Sequence, residues 1–256
     1  MDIEAPMYSF LMRFYRHGEM ENPRFFRRLN HPDLTGLRVL EVGCGTGSLA
    51  VYMVEKLGAA AVTACDYQTA NIEFARCRLA AESPELVGRI EYTDSHIENL
   101  IAAGESFDAV VCKDVFEHII DFPAALSQIS RLLKPGGRLL SGWGPLYYSP
   151  RGGHGLTRIP YDHLLPERYL VSRYNRTHPQ DPAISSVRDY GVNKLTYRTY
   201  RRELSKLGFV REFWGIDCCE SFAGRCAGLL ARLLPYPLCE PLIFNVYIIL
   251  RKPASN

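Results

Sequence analysis

Between residues 37 and 143, short apolar runs alternate with helical patterns, and this alternation limits the possible folds more than any other property of the chain. The runs "LRVLEV" (37–42), "AAVTAC" (60–65), "RIEYT" (89–93), "FDAVVCK" (107–113) and "RLLSGW" (138–143) have strand length. Apolar residues at helical spacing fill most of the intervals, at 49–57, 70–81 and 122–133. Asp121 is placed to cap the last of these helices, Pro123 falls in its first turn, and "KPGG" at 134–137 ends it. Strands that alternate with helices predict an α/β architecture, a mostly parallel sheet covered on both faces.

After Trp143 the alternation stops for about fifty residues dense in Pro, Gly, His and Tyr. An insertion this long in a compact domain is usually functional or disordered. Its aromatic content favours function, so residues 145–193 are expected to cover a substrate. The pattern resumes with "KLTYRTYRRELSKLGF", where Thr196 can cap a helix that stops at Gly208, followed by a strand near 210–216 and a final β-forming run, "IFNVYIILRKP". At the other end, Tyr8, Leu11, Met12 and Tyr15 form one apolar stripe. Residues 1–36 therefore read as a helical segment that packs on the core or acts as a lid over a ligand.

A chain of 256 residues, 47% of them hydrophobic, can bury one substantial core, and a single domain is expected. The formal charge of +2 gives no field that would point to nucleic acid, and the arginine clusters at 24–28 and 198–202 read as solvated faces. Eight cysteines without a Cys-x-x-Cys pair read as reduced thiols and imply a cytoplasmic protein. The most apolar stretch, 222–234, is interrupted by Arg225 and Arg232 and suits a buried or interfacial helix better than a membrane span.

The first strand runs into "LEVGCGTGSLA", with Gly43, Gly45 and Gly47 at alternate positions ahead of a helix starting near Ser48. Glycine permits positive φ and puts no Cβ between backbone and ligand, and a helix start offers free amides. In an open α/β sheet this turn flanks the ligand crevice, so it can cradle a nucleotide-like ligand. The dinucleotide fingerprint Gly-x-Gly-x-x-Gly fails at its last position, which is Ser48. Asp66, at the end of the second strand, can accept both hydroxyls of a ribose, which dinucleotides and S-adenosylmethionine share. Glu41, just before the glycines, suits a ligand carrying an ammonium and a sulfonium better than one carrying two phosphates.

These residues resemble the class I S-adenosylmethionine-dependent methyltransferases, whose fold is Rossmann-like. "VLEVGCGTG" is similar to that family's first motif, "ACD" to its second-strand acid, and "YTDSHIENL" to its third-strand end. "FDAVVCKDVFEHI" and "RLLKPGGRLL" are similar to its fourth-strand segment and its turn into the fifth strand. The resemblance implies a seven-stranded, mostly parallel sheet with helices on both faces and an antiparallel last strand, here 244–250. It implies S-adenosyl-L-methionine as cofactor, with the three glycines and Cys44 beside its methionine and ribose parts. By the same resemblance Asp66 belongs on the ribose, Asp94 near the adenine amino group and the backbone around Lys113 near the methionine end; His96 reads as a loop residue lining the adenine side, and Tyr67 and Ser95 are expected among the cofactor-binding residues.

Methyl transfer from a sulfonium needs mainly alignment and exclusion of water, and a hydroxyl or protonated amine needs a base as well, for which histidine is suited. His154 and His118 are the candidates, although His118 and Glu117 also read as ordinary helix-start residues. Tyr147, Tyr148 and Tyr161 are expected to line the acceptor. His154, His163 and Asp162 do not have a metal-ligand spacing, and no metal is expected. The leading expectation is a methyltransferase acting on a small molecule at oxygen, nitrogen or carbon. Alternatives are a cyclase or lyase using the same cofactor, a non-catalytic methyltransferase-like partner subunit and, more distantly, a nicotinamide oxidoreductase.

Overall fold

A computed structural model describes residues 5–157, 159–217 and 222–254; Cys218 and Cys219 lie outside the described residues. Seven strands form one sheet: β1 Arg38–Val42, β2 Ala61–Cys65, β3 Ile90–Thr93, β4 Phe107–Lys113, β5 Leu133–Trp143, β6 Val210–Asp217 and β7 Asn245–Arg251. Their order is β3-β2-β1-β4-β5-β7-β6. The first five are parallel, whereas β7 runs antiparallel to both β5 and β6. The helices are α1 Ala5–Arg28, α2 Ser48–Leu57, α3 Thr69–Glu82, α4 Ile97–Ala102, α5 Phe122–Leu132, α6 Glu167–Thr177, α7 Tyr197–Ser205 and α8 Phe222–Leu233. Strand order reverses between β1 and β4, the place where open sheets of this kind bind ligands.

Alternation along each strand divides the core between two faces. Val39 and Val111 pack with α1, α2 and α3 on one face. Leu40, Val110 and Cys112 pack with α5 and α7 on the other. Asp121 caps α5 by accepting from the Ala124 amide at 3.1 Å, and Thr196 caps α7 by accepting from Thr199 at 3.0 Å, as their positions predict.

One boundary differs from expectation. "KPGG" does not separate α5 from β5, which begins at Leu133. Phe107 pairs with Leu133 and Ala109 with Arg138, so the turn is absorbed as an irregularity of the ladder. Its backbone is also held from the other side, by Gly136 donating to Lys252 and Lys252 donating to Gly137.

The N-terminal stripe is core: Leu11 and Tyr15 are buried with Phe74 of α3, and Tyr8 and Met12 pack on them. The inserted segment builds a small core of its own from Tyr147, Leu156, Leu170, Tyr174, Val187 and Val192. Asn193 ties its end to the turn after β4, donating to the Phe116 and Ile119 carbonyls at 2.6 and 2.9 Å. Among the described residues no helix is long and apolar enough to cross a membrane, and the six described cysteines are free thiols.

Candidate active site

The turn after β1 is left-handed at Gly43, Gly45 and Gly47, with φ of 72°, 51° and 85°. Gly43 and Cys44 both donate to the Cys65 carbonyl, which locks the turn onto the end of β2. A Cβ at Gly45 would have no atom within 4 Å, so this residue faces open space. Cys44 is buried in the core, and its amide is already engaged, so its thiol does not face a ligand.

Asp66 closes the turn from the second strand. One carboxylate oxygen accepts from the Gly45 amide at 2.8 Å and the other from the Gln68 amide at 2.9 Å. The carboxylate lines a cleft of about 440 Å³ together with Gly43, Tyr67, Ser95, His96 and His118. Asp94 does not join this wall. The Ser95 amide donates to Thr93 Oγ1, and the resulting turn carries Ser95 and His96 to the cleft while Asp94 stays exposed. Nor does Asp94 cap α4, whose cap residue is His96 without a side-chain bond.

Glu41 is fully buried at the end of β1, and its Oε2 has no hydrogen-bond partner among the described residues. Burial raises its carboxyl to about 8, partly offset by Lys113. A buried, unpartnered acid is costly unless a ligand completes it, and a cation does so best. Lys113 donates to Asn22 Oδ1 at 2.9 Å, and Asn22 donates in turn to Ser48 Oγ at 3.2 Å. Helix α1 is thereby tied across the glycine turn through Asn22, a residue that sequence reasoning missed because a polar residue in a helix shows no sign of being buried.

The catalytic candidates meet just past β4. His154 and His118 stand edge to face with ring centres 5.1 Å apart. His154 Nδ1 lies 2.8 Å from the Gly152 carbonyl and His118 Nδ1 lies 2.7 Å from the Gly191 carbonyl. A carbonyl only accepts, so each neutral ring carries its proton on Nδ1 and leaves Nε2 free as a base. His154 Nε2 is buried without a hydrogen bond among the described residues, 3.9 Å from Glu117 Oε1. Burial lowers the His154 pKa, but the facing Glu117 carboxylate outweighs it and the net shift is upward. Glu117 is buried rather than an ordinary helix-start residue, and its Oε1 accepts from the Gly144 amide at 3.0 Å.

The expected tyrosine wall does not form. Tyr147 is buried in the insertion's own core, Tyr148 packs against it, and the Tyr161 hydroxyl meets the Pro241 carbonyl at 3.5 Å. A long segment without strands must bury its aromatic surface to hold a shape, and that need uses these rings. The cavity beside His154, about 330 Å³, is lined instead by Arg151, Thr157, Ile159 and Asp162. His163 packs among the tyrosines and does not join His154. Among the described residues, those that do share metal-ligand geometry are Glu117, His118 and His154, with ligand atoms all within 4.8 Å of one another. Spacing in the sequence gives no sign of this group, because it is assembled from two distant segments.

A sheet of this order, with a glycine turn and two acids at its switch point, defines the class I, Rossmann-like methyltransferase fold. Residues 39–137 match the family described as "Methyltransferase domain". It is 44% identical over 115 residues to the ubiquinone biosynthesis O-methyltransferase of Dinoroseobacter shibae, an alignment covering 44% of each chain. The chain thus spans less than half the length of that curated relative. Among solved structures, it superposes on an S-adenosylmethionine-dependent methyltransferase from Mesorhizobium loti with a TM-score of 0.57 and 20% identity, covering 91% of this chain and 97% of that one. It superposes on the cyclase SpnF with a TM-score of 0.58 and 17% identity, covering 93% and 81%.

Proposed function

We propose that the protein is an S-adenosylmethionine-dependent methyltransferase that acts on a hydroxyl of a small molecule. The observation that carries this reading is the donor site: the open side of Gly45, the Asp66 carboxylate on the cleft wall and the unpartnered Glu41 oxygen lie together at the switch point. Glu41 suits an ammonium, Asp66 a pair of ribose hydroxyls, and Ser95 and His96 an adenine edge. The chain's 44% identity over 115 residues to a curated O-methyltransferase supports oxygen as the acceptor atom.

When bound, the cofactor supplies a methyl group on a sulfonium that is already activated for in-line transfer. What this chain adds is placement and a base. His154 Nε2 takes the acceptor's proton, Glu117 stabilises the imidazolium so formed, and His118, which lines the cleft, orients the acceptor beside it. The same three side chains also suit a divalent cation, which would lower the hydroxyl's pKa in place of a histidine base. Activity lost on chelation and restored by one metal favours the cation.

The donor site is tested by calorimetry with S-adenosylhomocysteine and NAD. Binding of the first and not the second is expected. Asp66→Ala removes two hydrogen bonds to a charged group, each contributing about 1.5–3 kcal/mol, so affinity should fall at least about tenfold. Unchanged affinity would remove Asp66 from the site. Methyl transfer to a panel of phenols and catechols then separates a transferase from a cyclase, which leaves the cofactor intact.

The base is tested by pH. A base must be neutral, so with the His154 pKa raised, kcat/KM should climb with pH through a midpoint above the usual histidine value of about 6.5. Glu117→Gln removes the charge that holds the proton and leaves the burial that opposes it, so the midpoint should move down. A midpoint that stays in place in the variant rules out Glu117 as the partner of the base.

A further inference from the structure

β7 runs antiparallel to β5 and to β6, so β6 ends at the same sheet edge as β1, β4 and β5. The connection from β6 to β7, which contains α8, leaves from and returns to the edge that holds the cleft. It touches the inserted segment there, through the Tyr161 hydroxyl and the Pro241 carbonyl. Helix α8 buries Ala231, whereas Leu229, Leu230 and Leu233 are 62%, 47% and 73% exposed, and Tyr236 and Leu238 beyond it are 44% and 61% exposed. At about 3.6 residues per turn the three leucines form one stripe opposite Ala231. Five large apolar side chains exposed within ten residues are a patch rather than scattered surface.

The stripe is flanked by positive charge. Arg198, Arg201 and Arg202 of α7 and Arg232 of α8 line a groove of about 620 Å³ beside the helix. None of the described residues lining it is acidic. The nearby Glu203 is held by Arg202 and Lys206, and Glu240 is buried under the start of α7, accepting from the Tyr197 and Arg198 amides. Arg198 and Arg201 rest on the rings of Tyr236 and Tyr197. That contact fixes the two guanidinium groups at the rim.

We infer that this face docks on an anionic phospholipid surface, with α8 lying in the interface, its leucines among the acyl chains and the arginines on headgroup phosphates. Exposed leucines bordered by arginines match a membrane surface on both counts. A second copy of the chain does not, since a two-fold contact would set the same arginines against each other. Docking in this orientation brings the cleft edge to the bilayer, where an apolar acceptor is at hand.

The test is co-sedimentation of the full chain with vesicles of phosphatidylcholine alone and of phosphatidylcholine mixed with phosphatidylglycerol. Binding to the mixed vesicles should be at least about tenfold stronger and should weaken with salt. Leu229→Glu with Leu233→Glu, and separately Arg198→Glu with Arg201→Glu, should each reduce it about tenfold or more. These side chains are exposed, so melting temperature and S-adenosylhomocysteine affinity should stay at wild-type values, which separates lost docking from lost folding. Equal binding to both vesicle types, no binding to the mixed vesicles, or undiminished binding in both double variants would overturn the inference. So would a wild-type dimer in sedimentation velocity that the leucine variant dissolves, because a second copy would then cover the face.

Discussion

His154→Ala is expected to lower turnover on a hydroxyl acceptor by about 10²–10⁴-fold, the usual contribution of a positioned proton transfer. The residue stands in the left-handed region at φ 53°, which Asn tolerates better than Ala. His154→Asn is therefore the more informative variant: it keeps the backbone, removes the base and should leave the melting temperature close to wild type. Among the described residues the imidazole's only hydrogen bond is from Nδ1 to the Gly152 carbonyl within the same loop, and its Nε2 has no hydrogen-bond partner. A role limited to holding the loop predicts a stability change with turnover intact. Turnover within a few fold of wild type in both variants would pass the role to His118, whose Nε2 is equally free of the carbonyl that holds its Nδ1. In both variants S-adenosylhomocysteine affinity should be unchanged, because His154 does not line the cofactor cleft.

The second large effect is expected from Gly45→Val, which should abolish cofactor binding and cost the fold little. The three glycines of the turn differ in what surrounds them. A Cβ at Gly43 would lie 2.6 Å from Val115, and one at Gly47 would lie 2.7 Å from the Tyr92 ring, so substitution at either acts through packing. At Gly45 the space is open, and the penalty to the fold is only that of a β-branched residue at φ 51°. Such strain costs about 1–3 kcal/mol. In a chain of this size that is a drop of about 2–12 °C in melting temperature. The isopropyl group, however, occupies the side from which a ligand approaches, and a shift of the turn to relieve φ breaks the bond from the Gly45 amide to Asp66. A loss of S-adenosylhomocysteine affinity of at least about a hundredfold corresponds to about 2.7 kcal/mol, which one buried steric clash readily supplies. Normal binding by this variant would show that the open side of Gly45 is not the ligand side.

What was legible from sequence was local. Strand and helix periodicity placed every strand of the sheet, since apolar spacing records which face each residue must bury. The caps at Asp121 and Thr196 and the left-handed glycines were readable for the same reason: each answers to backbone geometry within a few residues. Glu41 and Asp66 could be placed because a parallel sheet puts the ends of adjacent strands side by side. Only the tertiary structure decided how distant segments share space. Asn22 reaches Lys113 and Ser48 because α1 packs across the turn, and Glu117 faces His154 because the insertion folds back over the end of β4. Tyr147 and Tyr148 of that insertion went to its private core, since a segment without strands must bury aromatic surface to hold a shape. The leucines and arginines beside α8 read as a buried or interfacial helix and a solvated face until the β6–β7 connection set them side by side. Periodicity encodes which face of an element is buried, but which elements then meet depends on packing that is non-local in the chain.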